Sequence, residues 1–292
     1  MASAAEQLAA NMNFGAFQRA TDLHKRIWFT LGAMLVYRIG CYIPIAGIDI
    51  GAFARAFQQQ SGGILGMFNM FSGGAVERMA VFALNVTPYI SASIIVQLMG
   101  TVYPPWEKLR KEGGEAGRKQ LNQYTRYLTV VLAMFQSFGI AVGLQSGEGI
   151  VTNPGPFFVV STMVTLTGGT MFVMWLGEQI TSRGVGNGIS LIIFAGIVAQ
   201  LPTALWQMIE AARVDASRSI LLFGFLGMAV ALIMFIVFIE RSQRRILIVY
   251  PKRQQGNRMF GGDTSFLPLK INTSGVIPPI FASSLLLSLI HI

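Results

Sequence analysis

Charge is what this sequence has least of. Lysine, arginine, aspartate and glutamate make up only 12% of the 292 residues, where a soluble domain carries about a quarter, and that scarcity excludes an ordinary water-facing surface. Hydrophobic residues reach 53%, and the mean hydropathy of +0.56 points the same way, to a polytopic membrane protein. Cysteine is rarer still. Cys41 stands alone, so no disulfide framework, cysteine-ligated zinc site or thiol pair can be built within the chain. The histidines are two, His24 at the start of the first apolar run and His291 at the far end of the chain. Carboxylates inside the apolar runs are nearly absent, with Glu178 and Glu240 near the inner ends of theirs, where they reach headgroups. A proton relay or buried acid–base pair has no material here. The sequence therefore predicts no enzyme activity, catalytic residue, metal site or cofactor.

What is present is a series of long apolar runs. About 20 such residues cross the hydrocarbon layer as a helix. Six runs qualify: Ile27 to Ile45, Met79 to Val102, Tyr124 to Leu144, Phe157 to Ile180, Gly188 to Ile209 and Ile220 to Ile239. A seventh begins at Thr273. The first follows the basic group His24, Lys25 and Arg26 and lacks a small-residue cleavage pattern before Pro44, so it reads as a retained span. The net charge is +9, and the basic residues sit between spans. With the N-terminus inside, all but Arg38, Arg55, Arg78, Arg213 and Arg218 of the 22 lysines and arginines fall on the inner side, which the positive-inside rule favours.

Two inner loops are long and polar, Tyr103 to Gln123 and Glu240 to Leu269. In the second, RRILIVYP is a β-branched and aromatic run before a glycine-containing basic turn, which predicts a small hairpin projecting from the membrane. Its length and its aromatic and glutamine content suit a docking surface as well as a topogenic anchor. Neither glycine-rich stretch is a phosphate loop. RGVGNGIS, Arg183 to Ser190, lies between two apolar runs and lacks the dinucleotide spacing, so its glycines predict a tight turn with Asn187 near the start of the next helix. KEGGEAGRK lacks the P-loop spacing and reads as a flexible basic loop. Arg38, deep in the first run, reads as a side chain that reaches toward the outer surface.

GMFNMFSGGAVERM, residues 66 to 79, fits neither a loop nor a span. As a helix it would extend about 21 Å, short of the roughly 30 Å of hydrocarbon. Its methionines and phenylalanines are poorly placed in water, and Asn69, Ser72, Gly73 and Gly74 resist lipid. A backbone of this kind is tolerated at membrane depth where protein or a water-filled cavity surrounds it. The expectation is a segment that folds back into a protein cavity; an interfacial amphipathic helix is the alternative.

Four stretches, MFNMFSGGAVERMAVFALNVTPYISASIIVQLM, GTMFVMWLGEQITSRGVGNGISLIIFAGIV, ERSQRRILIVYPKRQQGNR and LPLKINTSGVIPPIFASS, occur in the order found in the SecY family, the central subunits of the bacterial protein-translocation channel. The chain resembles that family from about Phe14 to Leu287. The resemblance implies an all-α polytopic membrane bundle of ten helices in two inverted repeats of five, of which this chain carries about seven. It divides the chain into a cytoplasmic N-terminal segment 1–26, a first half 27–209 with a plug at about 62–78, and the start of the second half, 210–292, with a cytoplasmic loop 241–270.

The same resemblance implies the sites. Met67, Phe68, Asn69, Met70, Phe71, Gly73 and Gly74 become the plug, a short re-entrant helix with a glycine hinge. Val86, Ile90, Ile189, Ile193 and Ile280 become the pore ring, the first four in pairs spaced i, i+4. Ser91, Gln97, Gln136 and Thr273 lie on lateral-gate helices, where they could hydrogen-bond across the gate or only within their own helices. Arg244, Arg245, Lys252, Arg253 and Arg258 become the surface that docks the ribosome, ribosomal RNA included, or the SecA ATPase. Asn257 stands where many relatives carry another basic residue. The implied partners also include SecE, SecG, signal peptides, nascent chains and membrane lipids, in the bacterial cytoplasmic membrane. The implied function is to pass unfolded polypeptide across the membrane and release apolar segments sideways into it. Past Leu287 the sequence leaves the family pattern, and its end at LLLSLIHI with no basic flank reads as truncation or as an early end of the reading frame. An inactive membrane fragment is therefore one alternative. The other is a secondary transporter with discontinuous helices marked by Gly73, Gly74 and Pro88.

Overall fold

The computed structural model describes residues 21–60, 66, 69–70, 72–147, 149–214, 216–249, 253–255, 258–260 and 264–271. Within them the chain forms helices α1 (Thr21–Gly40), α2 (Ile50–Gln60), α3 (Thr87–Val102), α4 (Pro104–Lys111), α5 (Gly114–Ser146), α6 (Pro156–Arg183), α7 (Gly188–Val198), α8 (Leu201–Val214) and α9 (Ala216–Arg241). Four strands follow, β1 (Gln243–Val249), β2 (Arg253–Gln255), β3 (Arg258–Phe260) and β4 (Thr264–Lys270). Two compact units result, Met1–Pro202 and Thr203–Ile292.

In the first unit α6 is the hub, packing against α5, α1 and α7, while α3 packs on α5. The sequence explains these contacts. Buried residues of α1 are Thr30, Ala33, Tyr37 and Gly40, a spacing of three and four that makes one stripe. α5 buries Thr125, Thr129, Ala133, Ser137 and Ala141, small side chains on one face that let membrane helices approach closely. The Ser137 and Thr167 hydroxyls lie 3.3 Å apart between α5 and α6. Arg126 clasps Glu178 across the same pair with two bonds of 2.9 and 2.8 Å. Trp28, Leu31, Leu35 and Ile39 point outward from α1, as a lipid-facing surface would.

Segment 41–49 is stitched on both sides. The Ile45 amide donates to the Met79 carbonyl (3.0 Å) and the Val81 amide to the Ile43 carbonyl (2.9 Å), while the Asp49 amide donates to the Ile150 carbonyl (2.9 Å). Asp49 Oδ1 then caps α2, accepting from the Gly51 and Ala52 amides at 2.8 and 3.2 Å. α2 is amphipathic and buries Phe57.

Several sequence expectations change here. The second span, read as Met79 to Val102, is helical only from Thr87. Residues 72–86 are turns, with left-handed backbone at Met79 and Asn85, because Pro88 suits a first helical turn and interrupts anything longer. KEGGEAGRK is no flexible loop. α4 and α5 meet there in a tight corner, where a Cβ on Gly113 or Gly117 would strike the Leu109 carbonyl. The long inner loop Tyr103 to Gln123 is thus largely helical. The fifth run breaks at Ala199 and Gln200, though Gly188–Arg213 as a whole is long and apolar enough to cross a membrane. Gly114–Ser146, Pro156–Arg183 and Leu222–Arg241 also meet that standard, and Thr87–Val102 is apolar but shorter. Ile27 to Ile45 appears as α1, displaced toward the basic residues. The seventh run lies outside the described residues.

In the second unit, α9 leads into the predicted hairpin, which is nested. β1 pairs antiparallel with β4, Arg244 opposite Leu269 and Arg245 opposite Pro268, and a separate pair joins β2 to β3 with Arg253 opposite Phe260 and Gln255 opposite Arg258. The small sheets add to a fold that is otherwise helical.

Candidate functional site

α7 is set by its entry turn. Asn187 is the N-cap, its Oδ1 accepting from the amides of Ile189 (3.1 Å) and Ser190 (3.3 Å), as the sequence predicts. Thr181 Oγ1 accepts from the Gly188 amide at 2.8 Å, and Thr30 Oγ1 of α1 from the Val185 amide at 3.2 Å. The three glycines of the turn serve different needs. Only Gly186 has left-handed backbone, at φ 76°, which favours glycine. At Gly188 a Cβ would strike the Gly177 carbonyl, and at Gly184 it would come within 2.6 Å of the Ile180 carbonyl. These contacts seat α7 on α6.

That seating brings Ile189, Ile192 and Ile193 into one apolar cluster with Val86, Tyr37, Phe82, Val173, Leu176 and Ile180. The rings of Tyr37 and Phe82 are stacked at 6.1 Å, and those of Phe82 and Phe172 at 5.8 Å, contacts that add roughly 0.5 to 1.5 kcal/mol each beyond area burial. Gly40 lies beneath Phe82, leaving no room for a Cβ. Val86 is 1% exposed, which rules out a lipid-facing position for it. Of the ring residues implied by the family resemblance, Val86, Ile189 and Ile193 therefore meet. Ile90, half-buried one turn along α3, is not in this cluster, although its amide donates to the Val86 carbonyl (3.0 Å). Ile280 lies outside the described residues.

Ala75 and Ala80 belong to the same cluster, each fully buried. Ala75 lies near the end of the expected plug segment and Ala80 just past it, so the turns there share a cluster with three of the residues expected to form the ring. Of the plug residues, Met67, Phe68 and Phe71 lie outside the described residues; Asn69 and Met70 are helical, and Gly73 and Gly74 follow in turns. Both glycines have left-handed backbone, φ 67° and 85°, and both are buried. A Cβ on Gly73 would sit 2.9 Å from Arg38 Nη1 and 3.0 Å from Gly196 Cα. Glycine is needed there twice over, for the backbone angle and for the close approach of α7.

Sequence reasoning missed what holds this turn. Arg38 is held by two partners: its Nη1 donates to the Gly73 carbonyl at 2.7 Å and its Nη2 to the Tyr42 hydroxyl at 3.0 Å. Asn69 closes the turn from within, Oδ1 accepting from the Glu77 amide (3.0 Å) and Nδ2 donating to the Glu77 carboxylate (3.2 Å). Gln200 Nε2, just past α7, donates to the Asn69 carbonyl at 3.3 Å. The available signal was Arg38 itself, an ionisable residue inside an apolar run. Nothing in spacing pointed to Asn69 or Gln200.

Of the expected gate residues, Ser91 and Gln97 lie on α3 and Gln136 on α5, helices that pack together. Gln97 Nε2 donates to Ser93 Oγ at 3.2 Å within its own helix, the local alternative rather than a bond across helices. Thr273 lies outside the described residues. Of the expected docking residues, Arg244 and Arg245 are exposed on β1, while Arg253 and Arg258 lie in the inner strand pair. Lys252 lies outside the described residues.

A sequence profile of the SecY family matches residues 80–292. The protein translocase subunit SecY of Rickettsia bellii (strain RML369-C) is 52% identical over 284 residues, which cover 95% of this chain and 64% of that protein. The subunit of the same name from Buchnera aphidicola subsp. Acyrthosiphon kondoi is 54% identical over 269 residues, 91% of this chain and 75% of that one. This chain thus spans between 64% and 75% of the length of these two relatives. A solved structure concerned with the plug domain of SecY, said there to stabilise the closed state of the translocation channel, superposes with a TM-score of 0.63. It is 19% identical and covers 91% of this chain and 57% of its own, a likeness of fold.

Proposed function

The chain belongs to the SecY family, and from that premise we propose that, at the full length of its relatives, it forms the pore of a protein-conducting channel in the bacterial cytoplasmic membrane. One observation carries the reading: Val86, Ile189 and Ile193 meet in an apolar cluster that also contains Ala75, from the end of the plug segment, and Ala80, just past it. An apolar constriction blocks ions by dewetting, and a short segment packed below it closes what remains. Unfolded polypeptide passes outward when the segment withdraws, and apolar stretches leave sideways between α3 with α5 and helices later in the chain. The protein makes and breaks no covalent bond; ribosomal synthesis or SecA supplies the energy.

In this reading the N-terminus is cytoplasmic, and SecE and SecG complete the channel. Arg244, Arg245, Lys252, Arg253 and Arg258 dock SecA or the ribosome, where phosphates of ribosomal RNA suit basic side chains. Val86, Ile90, Ile189, Ile193 and Ile280 form the ring, Ser91, Gln97, Gln136 and Thr273 line the gate, and signal peptides and lipids meet there. The test is a planar-bilayer recording on the full-length protein with its companion subunits. Replacing Val86 and Ile90 by glycine raises the resting ion leak, and unchanged conductance overturns the pore assignment. Reconstitution with SecA and a signal-bearing preprotein checks transport; preprotein crossing with the full-length protein but not with residues 1–292 alone makes this stretch an inactive part.

A further inference from the structure

The two helices whose first turns bring Val86, Ile189 and Ile193 together, α3 and α7, are fastened very differently. The first amides of an α-helix have no partner within it, and around the start of α7 they are met by side chains from three elements. Asn187 Oδ1 of the entry turn accepts from Ile189 and Ser190, Thr181 Oγ1 of α6 from Gly188 at 2.8 Å, and Thr30 Oγ1 of α1 from Val185 at 3.2 Å. Each threonine is anchored in turn by donating within its own helix, Thr181 to the Gly177 carbonyl at 2.9 Å and Thr30 to the Arg26 carbonyl at 2.8 Å. α6 is itself tied to α5 at three levels, by Arg126 with Glu178, Ser137 with Thr167, and Gln145 Nε2 donating to the Gly155 carbonyl at 2.9 Å. α3 has none of this. Its N-cap, Val86, is met by no side-chain hydrogen bond, the bonds of Gln97 and Thr101 close within α3, and among the described residues no hydrogen bond or ion pair joins α3 to another helix. We propose that Thr181 and Thr30 are positioning residues that hold α7 as the fixed wall of the constriction, so that the constriction widens by movement of α3. The inference rests on the channel reading above and concerns only the walls that carry Val86, Ile189 and Ile193.

The threonines act through the backbone of α7 rather than on the polypeptide. Gly188 is buried, so without the Thr181 hydroxyl its amide is left with no acceptor, which lowers the population of the seated helix about tenfold. Steric contacts stop α7 from moving closer to α6: a Cβ on Gly188 would strike the Gly177 carbonyl, and Ile189 Cγ1 lies 2.9 Å from where a Cβ on Gly177 would sit. A released α7 therefore lifts away from α6 and takes Ile189 and Ile193 with it. Thr30 refers the same wall to α1, through a longer bond to the amide of the exposed Val185, and contributes less. α3 buries Pro88, Ala92, Val96 and Gly100, and apolar contacts of this kind are non-directional. Sliding it along α5 breaks no hydrogen bond, which is the shear that packed helices allow. Asn85, just before α3, has left-handed backbone at φ 49°, and hinges lie at such element-terminal positions.

The experiment uses the full-length protein with its companion subunits and Cys41→Ala. Spin labels on Leu98→Cys and Tyr127→Cys report α3 against α5, and labels on Trp175→Cys and Phe194→Cys report α6 against α7; all four positions are exposed. With a signal-bearing preprotein arrested in the channel, the separation of the first pair changes and that of the second stays. A second pair that moves as much as the first overturns the proposal, and these labels decide it even where a threonine variant does not fold. In planar bilayers Thr181→Val, which keeps the shape and loses the hydroxyl, raises resting conductance about tenfold. Thr30→Val raises it by less, and Thr181→Ser, which keeps the hydroxyl, leaves it as in the parent. Parent-like conductance in Thr181→Val, or a Thr181→Ser channel that leaks like Thr181→Val, also overturns the proposal. A parent that arrests no signal-bearing preprotein overturns the channel reading itself, and this inference with it.

Discussion

An arginine in an apolar helix must find either water or a partner, because burying its bare charge is costly. Arg38 finds a partner 35 residues away in sequence, the Gly73 carbonyl, which no local pattern discloses. Its oddity was legible in the sequence; its destination was not. The glycines of RGVGNGIS make the same point, since all three read as turn residues and only Gly186 is one for backbone reasons. Gly188→Ala places a Cβ against the Gly177 carbonyl, and overpacking of this kind lowers stability by about 1 to 3 kcal/mol, measurable as a lower unfolding temperature in detergent. At the surface, Lys111 donates to Glu107 over 2.6 Å, and that hydrogen bond, with the lysine charge, holds the Glu107 carboxyl below the usual carboxylate range. A depressed carboxyl contributes stability above its unfolded-state value and loses it as pH falls through the folded one. Glu107 therefore titrates at lower pH than a free glutamate in a carbon-detected NMR titration, and Lys111→Ala returns it to the ordinary range.

Element by element, hydropathy located the apolar runs and misjudged where helices begin. Residues 79–86 are as apolar as the helix that follows them, yet they are turns, because Pro88, the left-handed Asn85 and the stitching of Met79 and Val81 to segment 41–49 outweigh composition. Capping was more legible. Asn187 stands at the start of α7 in the place its residue type predicts, accepting from two amides. Asn187→Ala costs about 1 kcal/mol, and since this cap orients the helix carrying Ile189 and Ile193, the proposed channel function has the variant also raise resting leak in the bilayer recording. The hairpin run was recognised from its β-branched residues, but not its nesting, since the pairing of Gln243 with Lys270 spans a stretch with no alternation to announce it.

For the whole molecule, the proposed topology, favoured by the asymmetry of the lysines and arginines, has the strands after α9 on the cytoplasmic side and the Gln145–Pro156 loop outside. Single cysteines introduced at Ser265 and at Asn153, with Cys41 replaced by alanine, should react with an impermeant maleimide from opposite faces of the membrane; labelling from one face only refutes the topology. The sequence by itself determined the membrane-protein class and the family resemblance, because composition and local motifs are properties of the chain alone, and the resemblance in turn implied the candidate ring, plug and docking residues. The tertiary structure decided which of them meet. Val86, Ile189 and Ile193 converge only once glycines let α7 press onto α6, and Arg38 and Gln200 reach the Gly73 and Asn69 carbonyls only through the tertiary fold. Contacts between residues so far apart in the chain depend on how helices pack, and helix packing is set by steric fit rather than by hydropathy.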